Sequence, residues 1–350
     1  MPGSHHNHSG QKKALVIRLG AWGDMVMASP LFRLLKQDGF YTVANVNPRG
    51  AQVLENNPYV DEVMLHPDDC VPNEKLGEHW AKISEGFDRV INLSGSIESG
   101  LLKTRDDREY QWTTDRRHET CNVNYYDRTL EVGRFQERGL NGELYFSSEE
   151  EKWGGMVRDQ HREKFVVLWS LSGSSVHKFY PWAEYVGPKF LEAHSDAVIF
   201  TVGEAGCSLI QFNHPRNKKR VGQWDIRRSF VMAKYADLVI GPETGVLNAA
   251  GCFETPKVVM LSHSSHENLS KYWKNCIPVE ADKTHAPCHP CHKMIYNTND
   301  CITNKVTGLP VCTAHLKPEI VLNAMESVYQ KWKERRNGIL GGKRQSAVLC

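Results

Sequence analysis

The chain has 350 residues, and its 43 Lys and Arg residues nearly balance its 41 Asp and Glu residues, giving a formal net charge of +2. This length favours two domains, because a typical domain holds about 150 residues. The balanced charge gives no electrostatic reason to expect a nucleic-acid partner. No apolar stretch approaches the roughly 20 residues that span a bilayer. Residues 1–13 are polar and histidine-rich, without the apolar core of a signal peptide. We therefore expect a disordered N-terminal tail and a cytoplasmic protein.

The first half of the chain alternates apolar runs with segments of helical spacing, which is typical of a parallel sheet covered by helices. Strands are predicted at 14–17, 42–46, 60–65 and 89–93, and helices at 25–36 and 50–56. Residues 103–128 are dense in charged and aromatic side chains without clear periodicity, so we predict a surface excursion there.

The turn after the first predicted strand places a carboxylate on a glycine-rich loop. Gly20 and Gly23 allow a tight turn and close approach of a ligand to the amides that begin the next helix. Asp24 follows at the carboxyl end of the strand, where ligands bind in open α/β sheets. Asp is also a favoured residue at helix starts. A substrate contact and a simple helix cap both stay open for Asp24, and the two roles are compatible.

The alternation restarts after a strongly polar segment around residues 149–152, and we place the domain boundary between residues 155 and 156. Strands are predicted at 165–169, 198–203, 238–241 and 257–261, and helices at 182–193, 226–235 and 318–335. The residues after this last helix are basic, and we predict a mobile tail at 337–350.

A second glycine turn follows the strand predicted at 238–241. The backbone amides of Thr244, Gly245 and Val246 would point outward at a helix N-terminus, where unsatisfied donors and the helix dipole favour a phosphate. The turn lacks the Gly-Lys-Ser/Thr sequence of a Walker loop. An ordinary strand-to-helix turn with Thr244 as its cap is the alternative.

Small hydroxyl residues and a lysine follow the strand predicted at 165–169. Ser170, Ser172, Gly173 and Lys178 could bind a diphosphate there, with the lysine as a point charge. A solvated loop is the alternative. Glu204 follows the next strand and could accept hydrogen bonds from a ribose, although glutamates are common on surfaces after strands.

These segments, taken in order, resemble glycosyltransferase family 9, which contains the ADP-heptose:lipopolysaccharide heptosyltransferases. The resemblance covers residues 14–328 and rests on the following segments: 18–24 with 29–31, 56–63, 173–182, 202–204 and 241–251. It implies an α/β protein of the GT-B fold, with two Rossmann-like doubly wound domains facing a central cleft.

The resemblance also implies how the chain divides. The implied parts are an acceptor domain at 14–155, a nucleotide-sugar domain at 156–317 with a Cys-rich loop at 285–312, and a helix at 318–336 that returns to the first domain.

The resemblance implies an inverting sugar transfer that needs no catalytic metal. By this likeness Asp24 is the general base on the acceptor hydroxyl. Lys178 and the amides around Thr244 neutralise the departing nucleoside diphosphate. Further residues implied to contact the substrates are Gly20, Gly23, Ser170, Ser172, Gly173, Glu204, Glu243, Gly245, Val246 and Asn248.

Three positions depart from the family pattern. Glu243 stands where Asp is frequent, Asn248 where His is frequent, and Trp22 where a smaller apolar residue is usual. These residues would lie near the sugar. The reaction class is therefore better defined than the sugar itself.

Four cysteines near the C-terminus have spacing suited to a metal. Cys288 and Cys291 form a Cys-x-x-Cys pair, and Cys301 and Cys312 could complete a closed tetrahedral zinc site that stabilises the loop. His289 or His292 could replace one of these ligands. Disulfides or free thiols are the alternatives.

The function that we predict is transfer of a sugar, with heptose as the leading candidate. The donor would be a nucleoside-diphosphate sugar resembling ADP-heptose, and the acceptor a lipopolysaccharide-core or other surface glycan or glycolipid. A modified-DNA acceptor is one alternative, since residues 105–117 are partly basic, and a non-catalytic nucleotide-sugar-binding protein is another. The basic tail would allow peripheral association with the inner face of a membrane.

Overall fold

The computed structural model describes residues 10–67, 70–94, 112–293 and 301–346. These residues divide into two compact units. The first unit falls within Met1–Gly100 and Tyr125–Phe146, and the second within Leu101–Asn124 and Ser147–Cys350.

Each unit contains one parallel sheet. The strands are Lys13–Arg18 (β1), Tyr41–Val46 (β2), Glu62–Leu65 (β3), Arg89–Asn92 (β4), Phe165–Ser170 (β5), Ala197–Val202 (β6), Asn217–Lys219 (β7), Leu238–Pro242 (β8), Lys257–Leu261 (β9) and Cys276–Glu280 (β10). The first sheet has the order β3-β2-β1-β4 and the second the order β10-β9-β8-β5-β6-β7. All of their registered pairs are parallel.

Helices connect the strands. They are Trp22–Ala28 (α1), Pro30–Gln37 (α2), Pro48–Leu54 (α3), Leu76–Ile83 (α4), Thr114–Cys121 (α5), Tyr125–Val132 (α6), Ser148–Gln160 (α7), Ala183–Ala193 (α8), Ile226–Tyr235 (α9), Gly245–Gly251 (α10), Val311–Ala314 (α11) and Pro318–Ser346 (α12). Shorter helical turns lie at Asn73–Lys75, Val176–Lys178, Ala205–Ile210 and His266–Ser270. Two parallel sheets with helical connections confirm the predicted α/β fold class.

The helix predicted at 25–36 is two helices, α1 and α2. Pro30 begins α2, and its ring nitrogen has no hydrogen to donate to the preceding turn. Ser29 bridges the break, since its hydroxyl donates to the Val26 carbonyl at 2.8 Å and accepts from the Glu143 amide at 2.7 Å. The prediction of one continuous helix was wrong for this reason.

Helix α7 belongs to the second unit, and its N-terminus is capped. Ser147 accepts from the Glu150 amide, and the Glu150 carboxylate accepts from the Ser147 amide. Glu150 also pairs with Arg227 of α9 at 2.7 Å. The longer segment of the second unit therefore begins at Ser147.

The described part of the predicted excursion at 103–128 is helical, while 103–111 lies outside the described residues. Helix α5 belongs to the second unit and α6 to the first. Arg117 of α5 is buried, with 2% of its surface exposed. The charged composition of this segment therefore gave no sign of its helices.

The last helix, α12, packs on the second unit. Val321, Met325 and Tyr329 are buried in that unit's core, and the Tyr329 hydroxyl donates to Asp196 at 2.6 Å. These contacts attach the helix to the second unit, and its return to the first domain stays a prediction. The helix also continues to Ser346, through most of the predicted mobile tail, and 347–350 lies outside the described residues. No helix among the described residues is long and apolar enough to cross a membrane.

Candidate functional site

In the first unit, Asp24 lies in the first turn of α1 and is held from two sides. Its Oδ2 accepts from the Ala21 amide at 2.7 Å, so the helix-start role is present. Its Oδ1 lies 3.3 Å from Nη2 of Arg18, and the two side chains are 12% and 3% exposed. Arg18 also donates to the Leu93 carbonyl at 3.3 Å. The carboxylate is therefore fixed in place while keeping some contact with solvent.

The loop before Asp24 is shaped by a close approach. A Cβ atom built on Gly20 would collide with the Asp24 carboxylate, so a side chain at this position would displace that carboxylate. Asn47 holds the same loop, because its side-chain amide donates to the Gly20 carbonyl at 2.9 Å. Asn47 also caps α3 by accepting from the Gly50 amide. Gly23 is buried in the first turn of α1.

Trp22 lies beside this turn and is half-buried. Its indole N–H donates to Gln52 at 2.8 Å, and the guanidinium of Arg49 lies 5.4 Å from its ring centroid. The sequence did not single out Arg49 or Gln52, although both lie on the helix that follows the neighbouring strand.

In the second unit, the predicted donor-site residues gather at one edge of the sheet. They end or follow the strands β5, β6 and β8, which are adjacent in the order β8-β5-β6. Because parallel strands end at the same edge, the loops after them meet there. The residues concerned are Ser170, Ser172, Gly173, Lys178, Glu204, Glu243, Thr244, Gly245, Val246 and Asn248.

Thr244 caps α10 and contacts the neighbouring strand. Its hydroxyl accepts from the Leu247 amide at 3.3 Å and lies 3.1 Å from the hydroxyl of Ser170. Gly245 and Val246 supply first-turn amides, which have no partner within a helix. Asn248 is 5% exposed and donates to the Thr244 carbonyl at 3.0 Å. Asn248 therefore supports the turn from within.

Lys178 lies in a folded turn and not in a solvated loop. The Gly173 amide donates to the Lys178 carbonyl at 3.0 Å, and the Lys178 amide donates to the Ser175 carbonyl at 2.9 Å. A Cβ atom on Gly173 would lie 2.8 Å from Cδ of Lys178. The lysine is 8% exposed, so its stem is packed against this glycine.

Glu243 is buried next to Thr244 and is held by the loop after β9. Its Oε1 accepts from the Ser262 amide at 2.6 Å, and its Oε2 lies 2.5 Å from Nδ1 of His263. Burial would raise the pKa of Glu243, but His263, Lys178 and the Ser262 amide outweigh it and hold the pKa well below its usual range. The sequence interpretation missed Ser262 and His263, although both directly follow a predicted strand.

His177 is buried beside this pair. Its ring centroid lies 4.8 Å from that of His263, and a ring nitrogen lies 2.8 Å from the Ser175 hydroxyl. Burial lowers the pKa of His177 well below its usual value, and His263 and Lys178 lower it further. His177 is therefore neutral at physiological pH.

Glu204 and Ser172 lie at the same edge with different surroundings. Glu204 is exposed and begins the helical turn Ala205–Ile210. The Ser172 hydroxyl lies 3.0 Å from the sulfur of Cys207 in that turn. Glu204 is the more accessible of the two to a ligand.

The four predicted ligand cysteines lie in one region. Burial raises the pKa of Cys291 to about 12, and the nearby thiols of Cys288 and Cys301 raise it too. The pKa of Cys312 is raised by burial and by the other three thiols. Among the residues that the structure describes, no group of three or more His, Cys, Asp or Glu side chains is arranged to hold a metal ion.

The cysteine segment is tied to the loop that holds Glu243. His289 donates from Nδ1 to the Ser262 carbonyl at 2.8 Å, and the His292 amide donates to the His263 carbonyl at 2.7 Å. The segment therefore contacts the loop after β9 that holds Glu243.

No protein-family model matches the sequence, and no curated protein matches it. Solved structures do match. A glycosyltransferase of family 9 from Veillonella parvula has a TM-score of 0.65 at 14% identity, over 91% of this chain and 97% of its own. The Escherichia coli ADP-heptose lipopolysaccharide heptosyltransferase II has a TM-score of 0.61 at 15% identity, over 92% and 99%.

A third match is the dodecameric iron-containing glycosyltransferase TibC of enterotoxigenic E. coli. Its TM-score is 0.57 at 11% identity, over 92% of this chain and 77% of its own. The expected resemblance to glycosyltransferase family 9 is thus confirmed at the level of fold, and the chain has the fold of these enzymes.

Proposed function

We propose that the protein is an inverting glycosyltransferase that moves a sugar from a nucleoside diphosphate to a hydroxyl of a glycan or glycolipid. The observation that carries this proposal is the edge of the second unit, where Lys178 and the capped turn at Thr244 lie on neighbouring loops. A cation and first-turn amides together suit a diphosphate. The fold shared with heptosyltransferases supports the same conclusion.

The second unit would bind the donor. Lys178 supplies a positive charge, and the amides of Gly245 and Val246 supply hydrogen-bond donors to the phosphate oxygens. The hydroxyls of Ser170 and Ser172 line the same edge, and Glu204 is exposed where a ribose could donate to it. These groups stabilise the charge that develops on the leaving diphosphate.

The first unit would bind the acceptor and remove its proton. The acceptor oxygen attacks the anomeric carbon, and the bond from that carbon to the diphosphate oxygen breaks. The electron pair leaves with the diphosphate, and Asp24 takes the hydroxyl proton. A single displacement of this kind inverts the configuration of the anomeric carbon. Gly20 would be needed because it leaves room for the Asp24 carboxylate.

For the donor we propose ADP-heptose or a close analogue, and for the acceptor a glycan of the lipopolysaccharide-core type. TibC has been solved with ADP-D-β-D-heptose, and an E. coli heptosyltransferase, WaaC, with ADP. Glu243, Asn248 and Trp22 depart from the family pattern, and the sugar is the part of the donor most affected by them.

We further propose a structural metal at Cys288, Cys291, Cys301 and Cys312. Neighbouring thiols raise the pKa of Cys291 and of Cys312, and a divalent ion bound at these four cysteines would stabilise them as thiolates. Zinc fits such a set, and TibC is described as iron-containing. Four sulfur ligands would leave no position for substrate, so the metal would stabilise the loop.

A donor panel tests the enzyme proposal. The purified chain is mixed with ADP-heptose, UDP-, GDP- and CMP-sugars and a lipopolysaccharide-core acceptor, and nucleotide release and thermal shift are both measured. We expect release and stabilisation with one class of donor, since a ligand that binds the native state raises apparent stability. Binding without release would support a non-catalytic binding protein. Neither binding nor release from any donor would refute the proposal.

A further inference from the structure

The buried carboxylate of Glu243 lies against two residues of the loop after β9, Ser262 and His263. Glu243 is 4% exposed, and both of its oxygens face the loop after β9. Ser262 contributes a backbone amide, which any residue would supply. His263 contributes a side chain, and it is 5% exposed. His263 is therefore the partner that depends on residue type.

His263 also contacts the turn that carries Lys178. Its ring lies 4.8 Å, centre to centre, from the ring of His177, the residue before Lys178. Lys178 is close enough to Glu243 to lower the pKa of its carboxyl group. The imidazole thus lies between Glu243 on one side and the Lys178 turn on the other.

Glu243 in turn precedes Thr244, which caps α10. A carboxylate held by Ser262 and His263 fixes the backbone of residue 243, and with it the orientation of the cap. The His263 side chain therefore contacts the residue that precedes each turn, His177 before Lys178 and Glu243 before Thr244.

We infer that His263 is a positioning residue for the donor diphosphate, acting through Glu243 and the Lys178 turn. This inference rests on the proposed function. His263 touches no substrate in this scheme. Its Nδ1 lies 2.5 Å from the Glu243 carboxylate and its ring packs beside His177, so that Lys178 and the Thr244 turn keep one spacing.

Two substitutions separate positioning from simple packing. His263→Asn keeps an N–H donor near the place of Nδ1, whereas His263→Gln places its amide near Nε2. We expect His263→Gln to weaken binding of the diphosphate by about tenfold or more, because the buried carboxylate of Glu243 loses its side-chain partner. The affinity of His263→Asn should stay within about threefold of the wild type, because asparagine keeps an N–H donor near Nδ1.

The measurement is isothermal titration of each variant with the diphosphate that the wild type binds best among ADP, GDP and UDP. The donor KM should rise more than kcat falls. His194→Asn is the matched control, because it removes the Nε2 through which His194 pairs with another glutamate, Glu326 at 2.6 Å, at the amino end of β6. Melting temperatures without ligand report folding separately.

A double variant tests the route through Glu243. If His263 acts through that carboxylate, His263→Gln combined with Glu243→Gln should cost about as much as the worse single change. Additive losses, equal losses in the Asn and Gln variants, or wild-type affinity in His263→Gln would overturn the inference while leaving the proposed function intact. A wild type that binds none of the three diphosphates would overturn both.

Discussion

The turn after β1 depends on the absence of a side chain at Gly20, next to the carboxylate of Asp24. The Asp24 carboxylate occupies the space that a side chain at residue 20 would need. The sequence predicted a glycine-rich turn with a carboxylate after β1, because both residue types are visible in the pattern. It could not predict Arg18 as the partner of Asp24, since that contact depends on the direction of two side chains.

Replacing Gly20 by alanine should therefore displace the Asp24 carboxylate. We expect Gly20→Ala to lower turnover at least about tenfold, because a general base that moves from its position loses most of its contribution. Gly155→Ala is the control, since a Cβ atom there meets nothing within 4 Å. That control should gain about 0.5–1 kcal/mol of stability, as glycine is unfavourable inside a helix. Full turnover in Gly20→Ala would contradict the proposed role of Asp24.

Lys257 at the start of β9 is buried. Within the described part of the chain, its ammonium group donates hydrogen bonds to backbone carbonyls alone. Its ammonium donates to Phe253 at 2.9 Å and Lys274 at 2.6 Å. Burial lowers its pKa to about 8 from 10.5. Between these two pH values the unfolded chain binds more protons than the folded one, so the stability contribution of this group rises with pH.

The corresponding measurement compares the unfolding free energies of the wild type and Lys257→Met. We expect the wild type to gain stability relative to the variant as the pH rises from about 8 towards 10.5. The difference should level off below pH 8, where lysine is charged in both states. A difference that falls with rising pH would show that the buried lysine is stabilised in its charged form.

At the scale of elements, buried strands were the best predicted feature. The strand predicted at 257–261 matches β9, and the other central strands agree within one or two residues at either end. Two edge strands were missed: β7 is Asn-Lys-Lys and β10 contains a proline, so neither has an apolar run. An edge strand needs only one neighbour, and its sequence shows little of its pairing.

The cysteine segment is the element whose role depends most on tertiary contacts. Its spacing predicted a closed metal site, while its hydrogen bonds through His289 and His292 to the Ser262–His263 loop were not predictable from spacing. If a metal holds this segment, its loss should loosen the Glu243 turn as well.

We therefore expect Cys291→Ser to lose bound zinc or iron and to lower the melting temperature. The reason is that metal binding contributes folding free energy directly. Metal content after extensive dialysis, measured by elemental analysis, checks this. Cys70→Ser is the control, because Cys70 is an exposed cysteine of the first unit. Metal-free wild type with an unchanged melting temperature in Cys291→Ser would leave the four thiols as free cysteines.

At the scale of the whole molecule, the sequence predicted two α/β units but not every assignment of segments to them. The apolar face of α12 is visible in the pattern, yet the pattern does not say which core receives it. The contacts of Val321, Met325 and Tyr329 attach it to the second unit. The same limit applies to α5, whose charged sequence resembled a surface loop.

The proposed function assigns one task to each unit: the second unit binds the donor diphosphate, and Asp24 of the first unit removes the acceptor proton. The most direct measurement is diphosphate affinity and sugar transfer in Asp24→Asn and Lys178→Met, where methionine keeps the packed stem against Gly173. We predict that Asp24→Asn binds the diphosphate like the wild type but loses about 100-fold or more in turnover, as expected for a general base. Lys178→Met should lose affinity by about tenfold, as expected for a charged hydrogen bond. Wild-type turnover in Asp24→Asn, or wild-type affinity in Lys178→Met, would contradict the account.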